Sequence, residues 1–429
     1  MNKIPSIVTL ILLLFAAPVL AEHDEDPRTR NLIPLGHIVE PASLFHGPPN
    51  VHTDIAFWGQ YAFQGSWLGF NIRDISAPSN PTQVSFTSCE GNQGDMVVWD
   101  NILVRSWNSP ASGTQDCDGQ TVPAGFEGLH IFDISDLTDP VLVGSVDLSN
   151  ATIPGRCGSH TATGVPDLDN DRLLVYNSGS GCDGIDIVEV PLDDPATAAY
   201  LRTEAAGRNC HDTAVILGDA LLAACAGGNG VTMWTLGGQS AGTLEDPDLL
   251  WSRTIPDVAI GHAVSFTWDG EVLVFDHEPG GGVQANCQAS SPDSDKSVFF
   301  VDVDTGDVDG MWTLPRPQSA TENCTIHNFN VVPVKNGDYI LVSGNYQSGT
   351  SIVDFTDLNN PVEIAYSDPP PIDPLDLGGA WSSYWYNNFI YETNITEGLN
   401  IFRFSGRETA GALRLDHLNP QTQEFTLPR

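Results

Sequence analysis

One six-residue pattern recurs along the chain. It is a small residue, an apolar-rich run and, in most copies, an acid five positions on. The copies are Gly69-Phe-Asn-Ile-Arg-Asp74, Gly128-Leu-His-Ile-Phe-Asp133, Gly184-Ile-Asp-Ile-Val-Glu189, Gly230-Val-Thr-Met-Trp-Thr235, Ser297-Val-Phe-Phe-Val-Asp302, Gly349-Thr-Ser-Ile-Val-Asp354 and Gly398-Leu-Asn-Ile-Phe-Arg403. Two apolar runs joined by a tight turn precede the copies, as in His262 to Phe275 around Asp269-Gly270 and His327 to Val342 around Asn336-Gly337. Those dipeptides are hairpin signals. Another turn and run follow, as in Asp136-Leu-Thr-Asp-Pro140 before Val141 to Val146. Each repeat thus reads as four strands, A to D, and no long helical period interrupts them. Seven copies spaced 46 to 67 residues apart predict an all-β, seven-bladed β-propeller of four-stranded blades. Ile131, Ile187, Phe299, Ile352 and Ile401 are expected at matching places in strand C. Propellers close by completing one blade from both termini. Asn31 to Val39 reads as the strand D that completes the last blade beside Ile401 and Phe402, with Ala412 to Leu415 as a competitor for that place.

Gly128 to Gly144, Gly349 to Ile364 and Gly69 to Pro81 resemble the repeat of the bacterial LVIVD-repeat proteins. That resemblance implies a secreted or surface β-propeller. It implies no particular activity, because a fold hosts many functions.

The N-terminus reads as an export signal. Lys3 supplies a positive start, Ile7 to Ala17 a short apolar run, and Pro18-Val19-Leu20-Ala21 a small-residue cleavage site. The expected organisation is a signal peptide at 1–21, an acidic segment at 22–30 and the propeller at 31–429. The mature chain is expected to be secreted, periplasmic or at the cell surface. No stretch is long enough for a comfortable membrane span, so no membrane insertion is expected. Eight cysteines in such a chain favour disulfides. They fall as near neighbours: Cys89 and Cys117, Cys157 and Cys182, Cys210 and Cys225, Cys287 and Cys324. Spacing does not fix their connectivity. With 17 Lys+Arg against 55 Asp+Glu, the formal net charge is −38. Such a chain repels phosphates, which excludes nucleic acid and anionic membrane as partners and suits cations.

The histidines carry the candidate chemistry. Aligned on the start of strand A, the repeats place His52, His160, His211, His262 and His327 together, with Asp95 and Trp381 in the other two blades. His277, followed by Glu278, ends an antiparallel strand B and is expected on the same face. Strand A lines the channel, so these imidazoles should ring one mouth. Imidazole is the commonest ligand for one transition metal such as copper, zinc or iron, with Asp54, Asp212 or Asp276 as supporting acids. The rival reading makes each histidine a cap that hydrogen-bonds the next blade. The cysteines fall in loops of that same face, where sequential pairing would staple the rim and thiolate ligation is the rival. Asp167, Asp169 and Asp171 have the alternation of a Ca²⁺ turn but lack the glycine and distal glutamate of an EF-hand. Gly238-Gln-Ser240-Ala-Gly242 has nucleophile-elbow spacing without the strand-to-helix context that chemistry needs. The residues therefore support three functions. The first is binding of a ligand, metal or protein partner at a histidine-rich, disulfide-stapled face. The second is a metal-dependent oxidoreductase or hydrolase on the same ring. The third is an inert surface scaffold.

Overall fold

The computed structural model describes residues 27–39, 50–372 and 377–428. The expected export signal at 1–21 and most of the expected acidic segment at 22–30 lie outside these residues. Seven antiparallel four-stranded blades form a ring. Their innermost strands are His52–Trp58, Met96–Trp99, Thr161–Asp167, Asp212–Ile216, Gly261–Phe266, Phe329–Val331 and Ala380–Tyr386. Blade 2 carries an extra hairpin, Gln115–Cys117 with Gln120–Val122.

The repeated small residue has a steric cause. A Cβ at Gly69 would lie 1.9 Å from the Thr87 carbonyl oxygen, at Gly128 2.0 Å from that of Val146, and at Gly230 1.9 Å from that of Arg253. In these blades strand D thus passes too close to the start of strand C for a side chain there. Three residues on, each blade bulges between strands C and D, directly after Ile72, Ile131, Ile187, Met233, Phe300, Ile352 and Ile401. All seven of these side chains are fully buried. In blade 5 the equivalent position is therefore Phe300, one place after the expected Phe299. These residues pack in the seams between neighbouring blades, as where Ile131 of blade 2 clusters with Leu173 and Val175 of blade 3. Truncating one of them to Ala costs about 2–5 kcal/mol.

The ring closes as expected. The N-terminal strand Leu32–Ile38 is the outer strand of blade 7, pairing Gly36 with Ile401 and Pro34 with Phe402. It even repeats the close approach, since a Cβ at Gly398 would meet the Ile38 carbonyl oxygen at 2.3 Å. Ala412 instead bridges to Val334 of blade 6, and the chain beyond it runs under the ring. The four cysteine pairs are all bonded in sequential order, Cys89–Cys117, Cys157–Cys182, Cys210–Cys225 and Cys287–Cys324. No helix among the described residues is long and apolar enough to cross a membrane.

Candidate metal centre

The starts of the inner strands surround a cavity of about 340 Å³ at one mouth of the channel. Four of the expected histidines line it side by side. His160 and His211 have ring centroids 4.2 Å apart, His211 and His262 4.5 Å, and His262 and His327 4.3 Å. Asp95 and Trp381 stand in the lining too, as the alignment required.

Two expected ligands do not face the cavity. His52 pairs with Ser66 in the register that Gly261 takes with His277, so Thr53, and not His52, is the equivalent of His262. Thr53 lines the cavity and donates from Oγ1 to the Gly94 carbonyl at 2.9 Å. In a strand a slip of one residue turns a side chain to the opposite face. The same alternation moves His277 outward. Its Nε2 accepts the Ala259 N–H at 3.1 Å, and its Nδ1 lies 3.9 Å from Asp295. The next residue, Glu278, takes its place in the lining.

Each of three imidazoles is held through Nδ1. His211 Nδ1 lies 3.0 Å from Asp212 Oδ1, and His262 Nδ1 lies 3.2 Å from Asp276 Oδ2. His327 Nδ1–H donates to the Trp381 carbonyl at 2.5 Å, since a carbonyl only accepts. Carboxylate or carbonyl partners of this kind fix the tautomer and leave Nε2 for a metal. On the other side of His327, Nε2 is 3.3 Å from Glu278 Oε1, which also accepts the Tyr346 hydroxyl at 2.5 Å. Ligand atoms of His211, His262 and Glu278 lie within 4.8 Å of one another, and so do those of His160, His211 and Asp212. Cys89, Cys117 and His130 also converge, but their thiols are joined in a disulfide.

The electrostatics divide the row. Burial, then the neighbouring His211, holds the His160 pKa well below the ordinary imidazole value, and burial does the same to His262. Burial opposes charge on His211 too, yet the hydrogen bond and charge of Asp212 carry its pKa above the ordinary value. Burial alone would raise Glu278, but His262, His327 and His211 outweigh it and keep the carboxylate ionised well below its usual range. Burial pushes Asp276 well above the usual carboxylate range. Burial followed by the charges of Asp54 and Asp212 does the same to Asp95.

Tyr346 is the lining residue that sequence reasoning missed. It has φ 51 and sits in the tight turn where the Gly349 N–H reaches the Tyr346 carbonyl at 2.9 Å. Its ring packs 4.3 Å from that of His327. A left-handed tyrosine is strained and persists only where surrounding structure holds it. Only the Gly349 of the repeat hinted at a turn there. Trp67 and Val283, 36% and 53% exposed, rim the opening. At the aspartates 167, 169 and 171, the Asp167 carboxylate accepts Arg172 Nε at 2.8 Å and Asn170 Nδ2 at 2.9 Å.

A family model described as the LVIVD repeat matches residues 52–87 and 124–148, which are most of blade 1 and the second half of blade 2. No curated protein matches this sequence. The fold is similar to that of several solved structures at low identity. One is the WD40 β-propeller domain of Doa1, with 10% identity, TM-score 0.49, and 88% of this chain and 98% of that one covered. Another is the β-propeller domain of Myceliophteria thermophila Cps50 (Swd1), with 12% identity, TM-score 0.49, and 87% and 99% covered. A third is the computationally designed Ika8 protein, with 13% identity, TM-score 0.44, and 84% and 98% covered. None of these bears on the histidine row. LVIVD repeats at 52–87 and 124–148 thus lie within a chain that folds as a seven-bladed β-propeller.

Proposed function

We propose that the protein binds one divalent transition-metal ion in the histidine-lined cup, with His211, His262, His327 and Glu278 as ligands and a small molecule entering from the open side. The observation that carries this reading is the convergence of three imidazoles, each held at Nδ1, on one carboxylate kept ionised. A set of nitrogen and oxygen donors suits zinc, copper or iron. Caps would need no such supporting acceptors, and His327 Nε2 beside the Glu278 carboxylate gains a partner when a cation stands between them. The net charge of −38 favours cation capture. A cavity of about 340 Å³ leaves room for a small ligand next to the ion. Four disulfides support an oxidising, exported setting.

The test is elemental analysis of purified protein together with calorimetric titration of Zn²⁺ and Cu²⁺ into protein stripped with chelator. The parent should bind close to one equivalent. His262→Ala and Glu278→Gln should each weaken binding steeply while far-UV circular dichroism stays unchanged. A metal-free parent that takes up neither ion in the titration overturns the reading. Retention of full affinity by both variants overturns the ligand set.

A further inference from the structure

Residues 411–427 belong to no blade, yet they touch the inner strand or inner turn of every blade at the mouth opposite the histidines. The tail meets blade 6 first, where Leu413 N–H donates to the Pro333 carbonyl at 2.8 Å and Lys335 N–H to that of Gly411 at 3.3 Å. At blade 7, Leu415 N–H donates to Asn387 Oδ1 and Asn387 Nδ2 donates back to its carbonyl, each at 2.8 Å. At blade 1, Gly59 N–H donates to the Asp416 carbonyl at 2.7 Å, and Leu418 pairs with Phe57. At blade 2, Asn419 bonds the Val98 backbone in both directions, at 2.8 and 3.0 Å. At blade 3, Thr422 Oγ1 donates to the Gly164 carbonyl at 2.7 Å. At blade 4, Thr422 and Gln423 pair in parallel with Val215 and Ile216. At blade 5, Gln423 Nε2 donates to the Phe266 carbonyl at 2.8 Å and Leu427 N–H to that of Trp268 at 2.7 Å.

This is one continuous circuit of the ring. It satisfies backbone groups at the ends of the inner strands, which an open channel would leave to water. Ring contacts anchor it. His417 stacks on Trp58 at 4.3 Å, and Phe425 packs 5.0 Å from Trp268. One tail side chain also points into the channel. Gln421 Nε2 donates to Asp54 Oδ2 at 2.8 Å, and Asp54 directly follows Thr53 of the cavity lining.

We infer that residues 411–427 are a built-in clasp and stopper, which ties the seven inner strands together and closes the far mouth, so that the histidine cup is blind and a metal held there exchanges only through the histidine mouth. The exchange half rests on the metal-binding reading, and the clasp half does not. Two variants test it, one ending at Ala410 and one carrying Asn419→Ala with Gln421→Ala. Hydrogen exchange on the folded proteins is read amide by amide, by mass spectrometry with fragmentation after quenching, and Zn²⁺-loaded protein is chased with EDTA. In the parent, the amides of Gly59, Val98, Val215 and Leu217, which donate to the tail, should be protected. In the chain ending at Ala410 all four should exchange at least tenfold faster, and in the double variant Val98, which loses its Asn419 Oδ1 acceptor, should do so, while the strand C amides of Ile131 and Ile352 keep their protection. Zinc should leave the variants at least tenfold faster. Unchanged protection at the four amides overturns the clasp. Lost protection with unchanged zinc release overturns the stopper. A parent that holds no zinc overturns the metal reading and with it the exchange half, and the clasp is still decided by the amides. Should the shortened chain not fold, the double substitution decides both halves, the clasp by the protection of Val98 and the stopper by zinc release, since it removes the Asn419 and Gln421 side-chain bonds.

Discussion

His130 should make this protein sensitive to mild acid. It sits in strand C of blade 2, 2% exposed, with its ring 4.7 Å from Phe126 and 5.3 Å from Trp107. Its Nδ1 is buried without a hydrogen-bond partner. Burial first, and the nearby Arg105 charge second, lower its pKa from 6.5 to about 3. The unfolded chain therefore takes up a proton as pH falls below about 6.5, whereas the folded chain does not until about pH 3. Stability is lost over that window as pH falls. At pH 5 the unfolded state has gained about 1.5 pH units of protonation free energy, or about 2 kcal/mol at about 1.4 kcal/mol per unit. His130→Leu keeps an apolar group of similar size against Trp107 and removes the titration. Urea unfolding of parent and variant, with disulfides intact, should show the variant gaining about 2 kcal/mol relative to the parent on going from pH 7 to pH 5. An identical stability difference at both pH values would refute the argument, because it would mean that His130 titrates alike in both states. His160 and His262, also lowered, add acid sensitivity of the same sign to parent and variant equally.

Three further outcomes are expected. Replacing Cys210 and Cys225 together with Ala, opening a loop of 15 residues, should lower stability by about 3 kcal/mol in a denaturant melt. Gly128→Ala should cost about 1–3 kcal/mol and lower the melting temperature, because its Cβ would overlap the Val146 carbonyl oxygen at 2.0 Å. Metal affinity should rise with pH through neutrality, since Asp212 holds a proton on His211 that the ion must displace. Calorimetry in buffers of different ionisation enthalpy should show proton release that disappears in His211→Ala, and pH-independent binding would contradict the role of His211.

The architecture was legible in the amino-acid order alone, and the reason is local. The close approach of strand D to strand C admits only the smallest side chains, so Gly69, Gly128, Gly184, Gly230, Gly349 and Gly398 mark the blades one by one. The hairpin turns and the buried residue before each bulge repeat with them, so counting copies counts blades. The N-terminal strand was legible because Leu32 to Ile38 carries a strand pattern with no partner nearby in sequence. The sequence left the disulfide connectivity open, and the ring decided it by setting each cysteine beside its sequential neighbour. Four histidines of the row followed from the same alignment. What the sequence did not decide is set by single-residue register and by distant contacts. The strand A bulge decides that Thr53 and Glu278 face the cavity while His52 and His277 do not, and a pattern of period two read one place off inverts every such assignment. The supporting acceptors Asp276 and the Trp381 carbonyl, and the hydroxyl of Tyr346, come from other strands or other blades. The tail of residues 411–427 has no repeat pattern at all, because its partners are the ends of all seven inner strands, and only the closed ring brings those ends together.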